Sequence, residues 1–359
     1  MTKVKYPVAI AIIAALTAGT AVFGSIRVRQ AKEEFAAEER KLPESAITNY
    51  LQQLKDQDYH AVYEDAQQVD PNFNSEADYT AKLQEVYDGV DLDALQYTGL
   101  DNSDGSKDYK LYSDGKFLAT LRLRKNADDT WLAGTIFVGD QNYTIEVPTG
   151  LSILANGVAV SKDYCKQTGV AASNFSGLGD QSLAPLVDVY ELDNLLGEPT
   201  IEVDGDSSYG VLKDVLTNNL LIGKTSNDAD LAQTMIDDIV TCARFTAQEA
   251  TVAQVGAISV RNSDWWDRIS TMPNTWFTSH STSNFSNEQA FNIIQQSDDT
   301  MVGYVTFDYY ASNGTVDRTW NAGYQVTFLK EGGTWKIACM AVDAELNPAR
   351  TSYFEDLNS

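Results

Sequence analysis

Residues 323–342 read GYQVTFLKEGGTWKIACMAV, two runs of alternating apolar and polar residues on either side of the turn Glu331-Gly332-Gly333. Alternation with a period of two is typical of strands covered on one face, and a Gly-rich turn between two such runs predicts a β-hairpin. Residues 117–137, FLATLRLRKNADDTWLAGTIF, follow the same plan, with a Trp that opens the last strand. The chain is therefore predicted to contain one structural unit twice.

Helical periodicity precedes each hairpin. The apolar residues at helical spacing are Ile47, Tyr50, Leu51 and Leu54 in the first half, and Leu231, Met235, Ile239, Cys242 and Phe245 in the second. Both halves then change to a period of two. Helices followed by an antiparallel meander predict an α+β fold for each half.

The order of these patterns predicts the organisation of the whole chain. We expect a membrane anchor at 1–24, a helical stalk at 25–43, a first α+β domain at 44–142, a small β module at 143–205, a linker at 206–226, a second α+β domain at 227–345 and a tail at 346–359. The predicted fold class is thus α+β, with an N-terminal transmembrane helix and two helix-plus-curved-sheet domains separated by a small β module.

The predicted anchor is the uncharged run Pro7–Gly24, which follows Lys3 and Lys5. Eighteen helical residues span about 27 Å, close to the hydrocarbon thickness of a bilayer. A cleaved signal peptide is the alternative. Since long acidic domains are translocated whatever their charge, we expect a single-pass protein of the cell membrane with its C-terminal body outside.

Charge is distributed unevenly along the chain. The net charge is −25, and the residues after position 42 hold 19 basic against 47 acidic side chains. Such a body repels nucleic acid and anionic headgroups, so nucleic acid is excluded as a partner. Cationic, neutral or metal-bearing partners fit this charge, and solvation alone is the favoured explanation of it.

Cysteine and histidine are scarce. Cys165, Cys242 and Cys339 form no CxxC pair, and His60 and His280 are the two histidines, so no metal site and no cofactor is expected. Cys242 and Cys339 lie on predicted apolar faces, which leaves a disulfide or two buried thiols as alternatives.

One acidic segment imitates a calcium-binding loop. Residues 101–108, DNSDGSKD, carry Asp101, Asp104 and Asp108, but their spacing and the missing terminal Glu depart from the EF-hand pattern. A solvated turn is the expected structure.

The helix AITNYLQQLKDQDYHAVYED at 46–65 and the hairpins TLRLRKNADDTWLAG and VTFLKEGGTWKIACM resemble the nuclear-transport-factor-two-like superfamily. This resemblance implies a cone-shaped α+β fold, in which a curved antiparallel sheet wraps a long helix, over residues 44–142 and 227–345.

With its anchor and stalk, the chain is also similar to extracytoplasmic envelope proteins of Gram-positive bacteria. These include the membrane protein associated with teicoplanin resistance and the non-catalytic N-terminal domain of penicillin-binding transpeptidases. The chain lacks a Ser-x-x-Lys motif followed by Ser-x-Asn and Lys-Ser/Thr-Gly. The resemblance therefore implies an accessory or binding protein and no transpeptidase.

Aromatic residues concentrate in the second predicted domain, and aromatic faces suit sugars or flat apolar ligands. The expected ligand-binding residues are Trp265, Trp266, Trp276, Tyr304 and Tyr309. The alternative is that these rings fill the space between helix and sheet. Trp265 and Trp266 are the strongest candidates, because adjacent residues on a helix cannot both face the core.

The sequence thus predicts a non-catalytic envelope protein that binds a cell-wall component such as peptidoglycan, or a membrane protein. Its oligomeric state stays open. One competing hypothesis is a small-molecule isomerase or hydratase in the second domain, because some members of the superfamily use a Tyr and an Asp inside the cone. The residues for those roles are Tyr304, Asp308, His280 and Asp264. A purely architectural spacer is the other.

Overall fold

The computed structural model describes residues 41–66, 70–136, 141–272 and 280–350. The chain divides into two compact units, Met1–Asp140 and Gln141–Ser359. Both combine helices with curled, mainly antiparallel sheets, so the predicted α+β class is confirmed. The predicted anchor Pro7–Gly24 and the stalk up to residue 40 lie outside the described residues. Within the described ranges, no helix combines the length and the apolar character needed to span a membrane.

In the described part of the first unit, three helices precede four strands. The helices are α1 (Pro43–Lys55), α2 (Tyr59–Asp65) and α3 (Glu76–Tyr87). The strands are β1 (Gln96–Asp101), β2 (Lys107–Ser113), β3 (Lys116–Lys125) and β4 (Trp131–Ile136). They form an antiparallel sheet in the order β1-β2-β3-β4.

Local sequence explains where these helices begin. Pro43 occupies the first turn of α1, where its missing N–H has no helical partner to lose. Ser75 caps α3 by accepting a hydrogen bond from the backbone N–H of Asp78 at 3.1 Å. The buried face of α1 includes Ile47, Tyr50 and Leu54, which lie at the predicted helical spacing.

Strand β3 follows the predicted alternation except at its start. Ala119, Leu121 and Leu123 are buried, whereas Phe117, predicted on the same face, is 46% exposed. The β2–β3 register shifts by one residue between the pairs that contain Ala119 and Phe117. Because a bulge changes the phase of a strand, Phe117 leaves the covered face.

The second unit opens with eight strands. They are β5 (Gln141–Pro148), β6 (Ile153–Ala155), β7 (Val158–Ala159), β8 (Cys165–Ala171), β9 (Leu186–Leu195), β10 (Ile201–Val203), β11 (Tyr209–Lys213) and β12 (Leu220–Thr225). Three helices and four long strands follow. They are α4 (Ala229–Thr246), α5 (Val252–Ala257), α6 (Asp264–Thr271), β13 (Thr282–Ser297), β14 (Thr300–Ser312), β15 (Asp317–Glu331) and β16 (Thr334–Val342).

One sheet runs through most of this unit. Its described strands follow the order β16-β15-β14-β13-β12-β5-β9-β8, with β11 paired to β12, while β10, β6 and β7 form a separate small sheet. Residues 206–226, for which the sequence predicts a linker, instead hold β11 and β12. Strand β12 pairs with both β13 and β5. It thereby hydrogen-bonds backbone N–H and C=O groups on the edges of those two strands, which a linker would leave unpaired.

The long sheet has an apolar core on each face. On one face, Met235 and Ile239 of α4 pack with Phe307 and Phe328 of the sheet. The other face holds two further clusters. Their buried members are Ala172, Phe175, Leu178, Ala184, Val187, Val260, Leu329 and Ala338 in one, and Leu212, Leu221, Ile294, Val302 and Tyr304 in the other. Strand β14 is therefore buried along nearly its whole length.

Candidate functional site

Three aromatic rings lie side by side on the helix-facing face of the second unit's sheet. Phe285 of β13 is directly opposite Tyr309 of β14, and Tyr309 is opposite Trp320 of β15. The ring centroids of Phe285 and Tyr309 are 4.8 Å apart, and those of Tyr309 and Trp320 are 5.7 Å apart with their planes inclined by 29°. Directly paired residues share a face of a sheet, so the register itself builds this aromatic row.

An arginine covers each end of the aromatic row. The guanidinium carbon of Arg244 lies 5.4 Å from the ring centroid of Phe285, and that of Arg318 lies 5.5 Å from the ring of Trp320. Both arginines are exposed, and neither forms an ion pair with a described residue. Tyr309, in the middle of the row, is only 3% exposed, while Phe285 and Trp320 are half-buried. The row therefore belongs to the core under α4 and carries a positive charge at each end in a cation–π contact.

A polar cluster of Glu249, His280, Ser283 and Tyr309 borders the row. The Glu249 carboxylate accepts hydrogen bonds from the Tyr309 hydroxyl and from Nε2 of His280, each at 2.8 Å. Burial raises the pKa of Glu249, but the hydrogen bonds from Ser283, Tyr309 and His280 outweigh it and hold that pKa below its ordinary value. Burial, followed by the nearby Glu249, raises the pKa of Tyr309. The carboxylate therefore stays charged and the phenol stays neutral.

A tight turn after α4 places Glu249 in this cluster. Gln248 adopts a positive φ of 65°, and the N–H of Glu249 donates to the carbonyl oxygen of Arg244 at 2.7 Å. Thr251 then starts α5 through a capping box with Gln254. The chain reverses within these few residues, so Glu249 lies beside β13 and β14.

A groove of about 540 Å³ lies between α4 and β13 beside the row. Its lining residues are Gln233, Ile236, Asp237, Val240, Arg244, Glu249, Ser283, Asn284, Phe285 and Glu288. Carboxylate, amide, hydroxyl and guanidinium groups there surround an aromatic ring. Such a lining offers several hydrogen-bond donors and acceptors to one bound ligand.

The structure brings only some of the expected binding residues together. Tyr309 belongs to the aromatic row, whereas Tyr304 lies on the other face of β14, where its hydroxyl donates to the carbonyl of Lys213 at 2.5 Å. Burial raises the pKa of Tyr304 to about 12. Strand alternation separates the two tyrosines, because their positions differ by an odd number of residues.

Both members of the Trp265-Trp266 pair contact the core under α4, at different depths. Trp265 is buried in that core, whereas Trp266 is half-buried, packs against it and has the guanidinium of Arg261 over its ring. Trp276 lies outside the described residues.

The residues named for an enzymatic role do not converge on one point. Asp308 is on the same strand face as Tyr304, whereas His280 contacts Tyr309 and Glu249 on the other side of the sheet. Asp264 is exposed at the start of α6.

Asp308 is held by side-chain amides alone. Its carboxylate accepts from the amides of Asn287 and Asn321, each at 2.7 Å, and from Asn347 at 3.3 Å. Burial raises the pKa of Asp308, but these three amides keep it below its ordinary value. Its oxygens bind structural partners, so this carboxylate fastens the segment that contains Asn347 to the sheet.

All three cysteines are free thiols. Cys242 faces the core under α4, and burial raises its pKa. Cys339 is directly opposite Thr327 on the neighbouring strand β15. The residues on either side of Thr327, Val326 and Phe328, point into the core that contains Cys242. Alternation therefore turns Cys339 towards the opposite face of β15–β16, which explains why the disulfide considered from sequence is not formed.

The acidic segment 101–108 is a closed turn. Asp108 forms a bidentate pair with Arg122 at 2.7 and 2.9 Å, and Asp101 pairs with Lys107. Asp104 accepts from the N–H and the hydroxyl of Ser106 at 3.0 and 2.6 Å. In the part of the chain that the structure describes, no group of three or more His, Cys, Asp or Glu side chains is placed to hold a metal.

Phe285, Arg244 and Glu249 belong to the site but are not singled out by the sequence. Phe285 stands in SNFSNEQA, where a register shift between Ser286 and Gln289 interrupts any regular alternation. The available signal is the pairing of β13 with β14, since counting back from their turn places Phe285 near Tyr309. That signal requires the bulges to be known in advance.

No family model matches this chain, and no curated protein matches it significantly. Among solved structures it is similar to a chain titled "Ntf2 like protein involved in plasmid conjugation". The two share 11% sequence identity, the match covers 72% of this chain and 78% of the other, and the TM-score is 0.26. A likeness of this size carries no conclusion about activity.

Proposed function

We propose that this chain is a non-catalytic binding protein that holds a cell-wall glycan, such as that of peptidoglycan, against the groove and the aromatic row of its second unit. The observation that carries the proposal is the row itself. Phe285 lines a mostly polar groove, and its ring continues into those of Tyr309 and Trp320. Tyr309 is buried, so the half-buried rings of Phe285 and Trp320 offer the apolar contact to a ligand.

The chemistry of a glycan fits both parts of this surface. Aromatic faces pack against the C–H faces of sugar rings, and the carboxylate and amide groups of Asp237, Asn284 and Glu288 match sugar hydroxyls as acceptors and donors. The groove lining carries three acidic side chains, Asp237, Glu249 and Glu288, and one basic side chain, Arg244. Its net negative charge therefore favours neutral or amine-bearing sugars over anionic ones.

The hydrogen bonding of the acidic groups supports binding over catalysis. A general acid needs a carboxyl with a raised pKa, and a general base needs a free oxygen that reaches the substrate. Glu249 and Asp308 have lowered pKa values and are held by neighbouring donors. An isomerase or hydratase that uses Tyr304, Asp308, His280 and Asp264 is the alternative. A spacer is the third candidate, because Met235, Phe307 and Phe328 fill the space between α4 and the sheet.

The proposal includes a location. The run Pro7–Gly24 acts as a single membrane anchor, residues 25–43 act as a stalk, and two cone-like domains stand outside the cell, as in the Gram-positive envelope proteins that the sequence resembles. A membrane protein is the second class of partner that this placement allows. Protease added outside intact cells is expected to degrade the body, and a fully protected body would contradict the location.

Retention of the purified full chain on insoluble peptidoglycan tests the binding proposal. We expect the wild-type chain to sediment with it, and Trp320→Ala to weaken retention about tenfold, since an aromatic stacking surface is lost. Val316→Ala is the matched control, because Val316 is 60% exposed in the neighbouring β14–β15 turn and outside the row. Circular dichroism verifies that both variants fold. Equal retention of Trp320→Ala and wild type, or no retention of either, would refute the proposal.

A further inference from the structure

Arg261 is fixed between two helices of the second unit. Its guanidinium carbon lies 3.9 Å from the ring centroid of Trp266 on α6, which is the distance of direct stacking. It also lies against Gly256 of α5, where a Cβ atom would come within 2.2 Å of a terminal guanidinium nitrogen. Any side chain at position 256 would displace the arginine, so the glycine keeps this place open.

The charge of Arg261 has no counterpart among the described residues. Arg122 is paired with Asp108, Arg350 with Glu345, and Arg268 donates to the carbonyl of Asp264. Arg261, although exposed, makes neither an ion pair nor a hydrogen bond to a described residue. Arg244 and Arg318 also lack an ion pair among the described residues, so Arg261 is distinguished by its close stacking on Trp266 and its contact with Gly256.

Holding the guanidinium in advance lowers the cost of binding an anion. An arginine side chain loses conformational entropy when it binds a ligand. Trp266 and Gly256 already restrict the orientation of the Arg261 guanidinium plane, so less of this entropy is lost on binding. The stacked face is occupied by the ring, which leaves the N–H groups at the edge. Those edge donors match the two oxygens of a carboxylate that lies in the same plane.

We propose that Arg261, stacked on Trp266 and seated against Gly256, binds a carboxylate group of a ligand. The site shares no residue with the groove, so it stands independently of the proposed glycan site. A carboxylate is preferred over a phosphate monoester because Asp264 and Asp267 on the same helix repel a dianion more strongly than a monoanion. A peptide terminus and a sugar acid are the two sources of this group.

Calorimetric titration of the purified full chain with paired probes tests the site. N-acetyl-alanyl-alanine is compared with its C-terminal amide, and N-acetylmuramic acid with N-acetylglucosamine. We expect the acid of at least one pair to bind and its uncharged counterpart to bind at least about tenfold more weakly, since a charge-assisted hydrogen-bond pair is lost. Which pair shows the difference identifies the source of the carboxylate.

Variants then locate the binding. Arg261→Gln is expected to weaken the acid about tenfold or more, and Arg261→Lys severalfold, because an ammonium keeps the charge but not the planar fork. Gly256→Ala keeps Arg261, but the added Cβ atom displaces its guanidinium group from α5. This variant should therefore also bind the acid more weakly. Arg268→Gln is the control on the same helix and should bind as the wild type does.

Several results would overturn the proposal. They are equal binding of acid and amide, no binding of either acid, wild-type affinity in Arg261→Gln, or stronger binding of inorganic phosphate than of both carboxylates. Thermal melts of each variant show whether it is folded. If Arg261→Gln fails to fold, the acid-against-amide comparison on the wild type and the Gly256→Ala titration still decide. Loss of glycan retention in Trp320→Ala with intact acid binding would separate this site from the groove.

Discussion

The first unit and the helix-plus-meander half of the second unit share one order of elements, three described helices followed by four antiparallel strands, but their strands differ in length. Strands β1 to β4 have 6 to 10 residues, whereas β13 to β16 have 9 to 16. The aromatic row occupies the end of the longer sheet near the β14–β15 turn. The additional strand length therefore carries the aromatic row of the candidate site.

The two sheets also differ in what adjoins them. Strand β1 is an edge strand and all six of its residues are exposed, whereas β13, in the corresponding place, pairs with β12 and so continues into β5 and β9. An exposed edge permits short polar strands, while a sheet covered on both faces requires every buried polar group to find a partner.

Each half meets that requirement differently. In the first unit, hydroxyl groups of Tyr50 on α1, Tyr87 on α3 and Thr135 on β4 hydrogen-bond to one another. Burial raises the pKa of Tyr50 well above its ordinary value, so this cluster is neutral. In the second unit a buried polar centre is the charged Asp308 with its amides, on the face of the sheet away from α4. The neutral and the ionic centre predict different sensitivities to mutation.

The largest expected effect comes from the ionic centre. Asp308→Ala leaves the amides of Asn287, Asn321 and Asn347 without their acceptor, and we expect it to destabilise the second unit by about 3 kcal/mol. Hydrogen exchange of the β14 and β15 backbone amides measures this loss for that unit alone. The exposed Asp298→Ala is the control. Equal protection in the two variants would contradict the assigned role of Asp308.

A smaller effect depends on pH and concerns α4. Burial, with Asp237 next in importance, raises the pKa of Asp238 from 3.8 to about 7. Between these values the folded state binds more protons than the unfolded state, so stability falls as the pH rises through this window. Asp238→Asn removes the charge and should stabilise the second unit by about 2 kcal/mol at pH 8, after allowance for partial exposure, with little effect at pH 4.

Denaturant unfolding followed at both pH values tests the Asp238 prediction. A variant whose stability changes equally at pH 4 and pH 8 would show that Asp238 does not titrate in this window. The first unit has no counterpart of Asp238 on the described part of α1, so its hydrogen-exchange protection should be the same in wild type and variant.

The smallest expected effect tests the neutral centre. Tyr50→Phe removes one hydroxyl but leaves those of Tyr87 and Thr135 to bond to each other, so we expect a loss of about 1 kcal/mol in the first unit. Tyr97→Phe on the exposed edge strand β1 is the control, with an effect within about 0.5 kcal/mol. If Tyr50→Phe lost as much stability as Asp308→Ala, the neutral and the ionic centre would not differ in their sensitivity to mutation.

Periodicity predicted much of this fold. Strand β16 spans Thr334–Val342 as the alternation around Trp335 indicates, and the buried face of α4 holds Met235, Ile239 and Cys242 at their predicted spacing. Those features depend on neighbours in sequence, which a period of 3.6 or 2 captures.

The remaining features depend on pairing between distant segments. Residues 206–226 look like a linker because Gly, Ser and Asn are frequent there, yet Leu220–Ile222 becomes buried once β12 lies between β13 and β5. The aromatic row likewise exists only in the register of three strands. The sequence predicts that Tyr309 binds a ligand, but its neighbour Phe285 can be identified only when that register is known.

The central claim is that the second unit binds a glycan at the groove and the aromatic row. Hydrogen–deuterium exchange of the full chain, with and without soluble peptidoglycan fragments, tests it most directly. We predict new protection in the segments around Phe285, Tyr309 and Trp320 and along the groove face of α4, with β1 to β4 unchanged. Protection confined to β1 to β4, or no change anywhere at saturating fragment, would contradict the account.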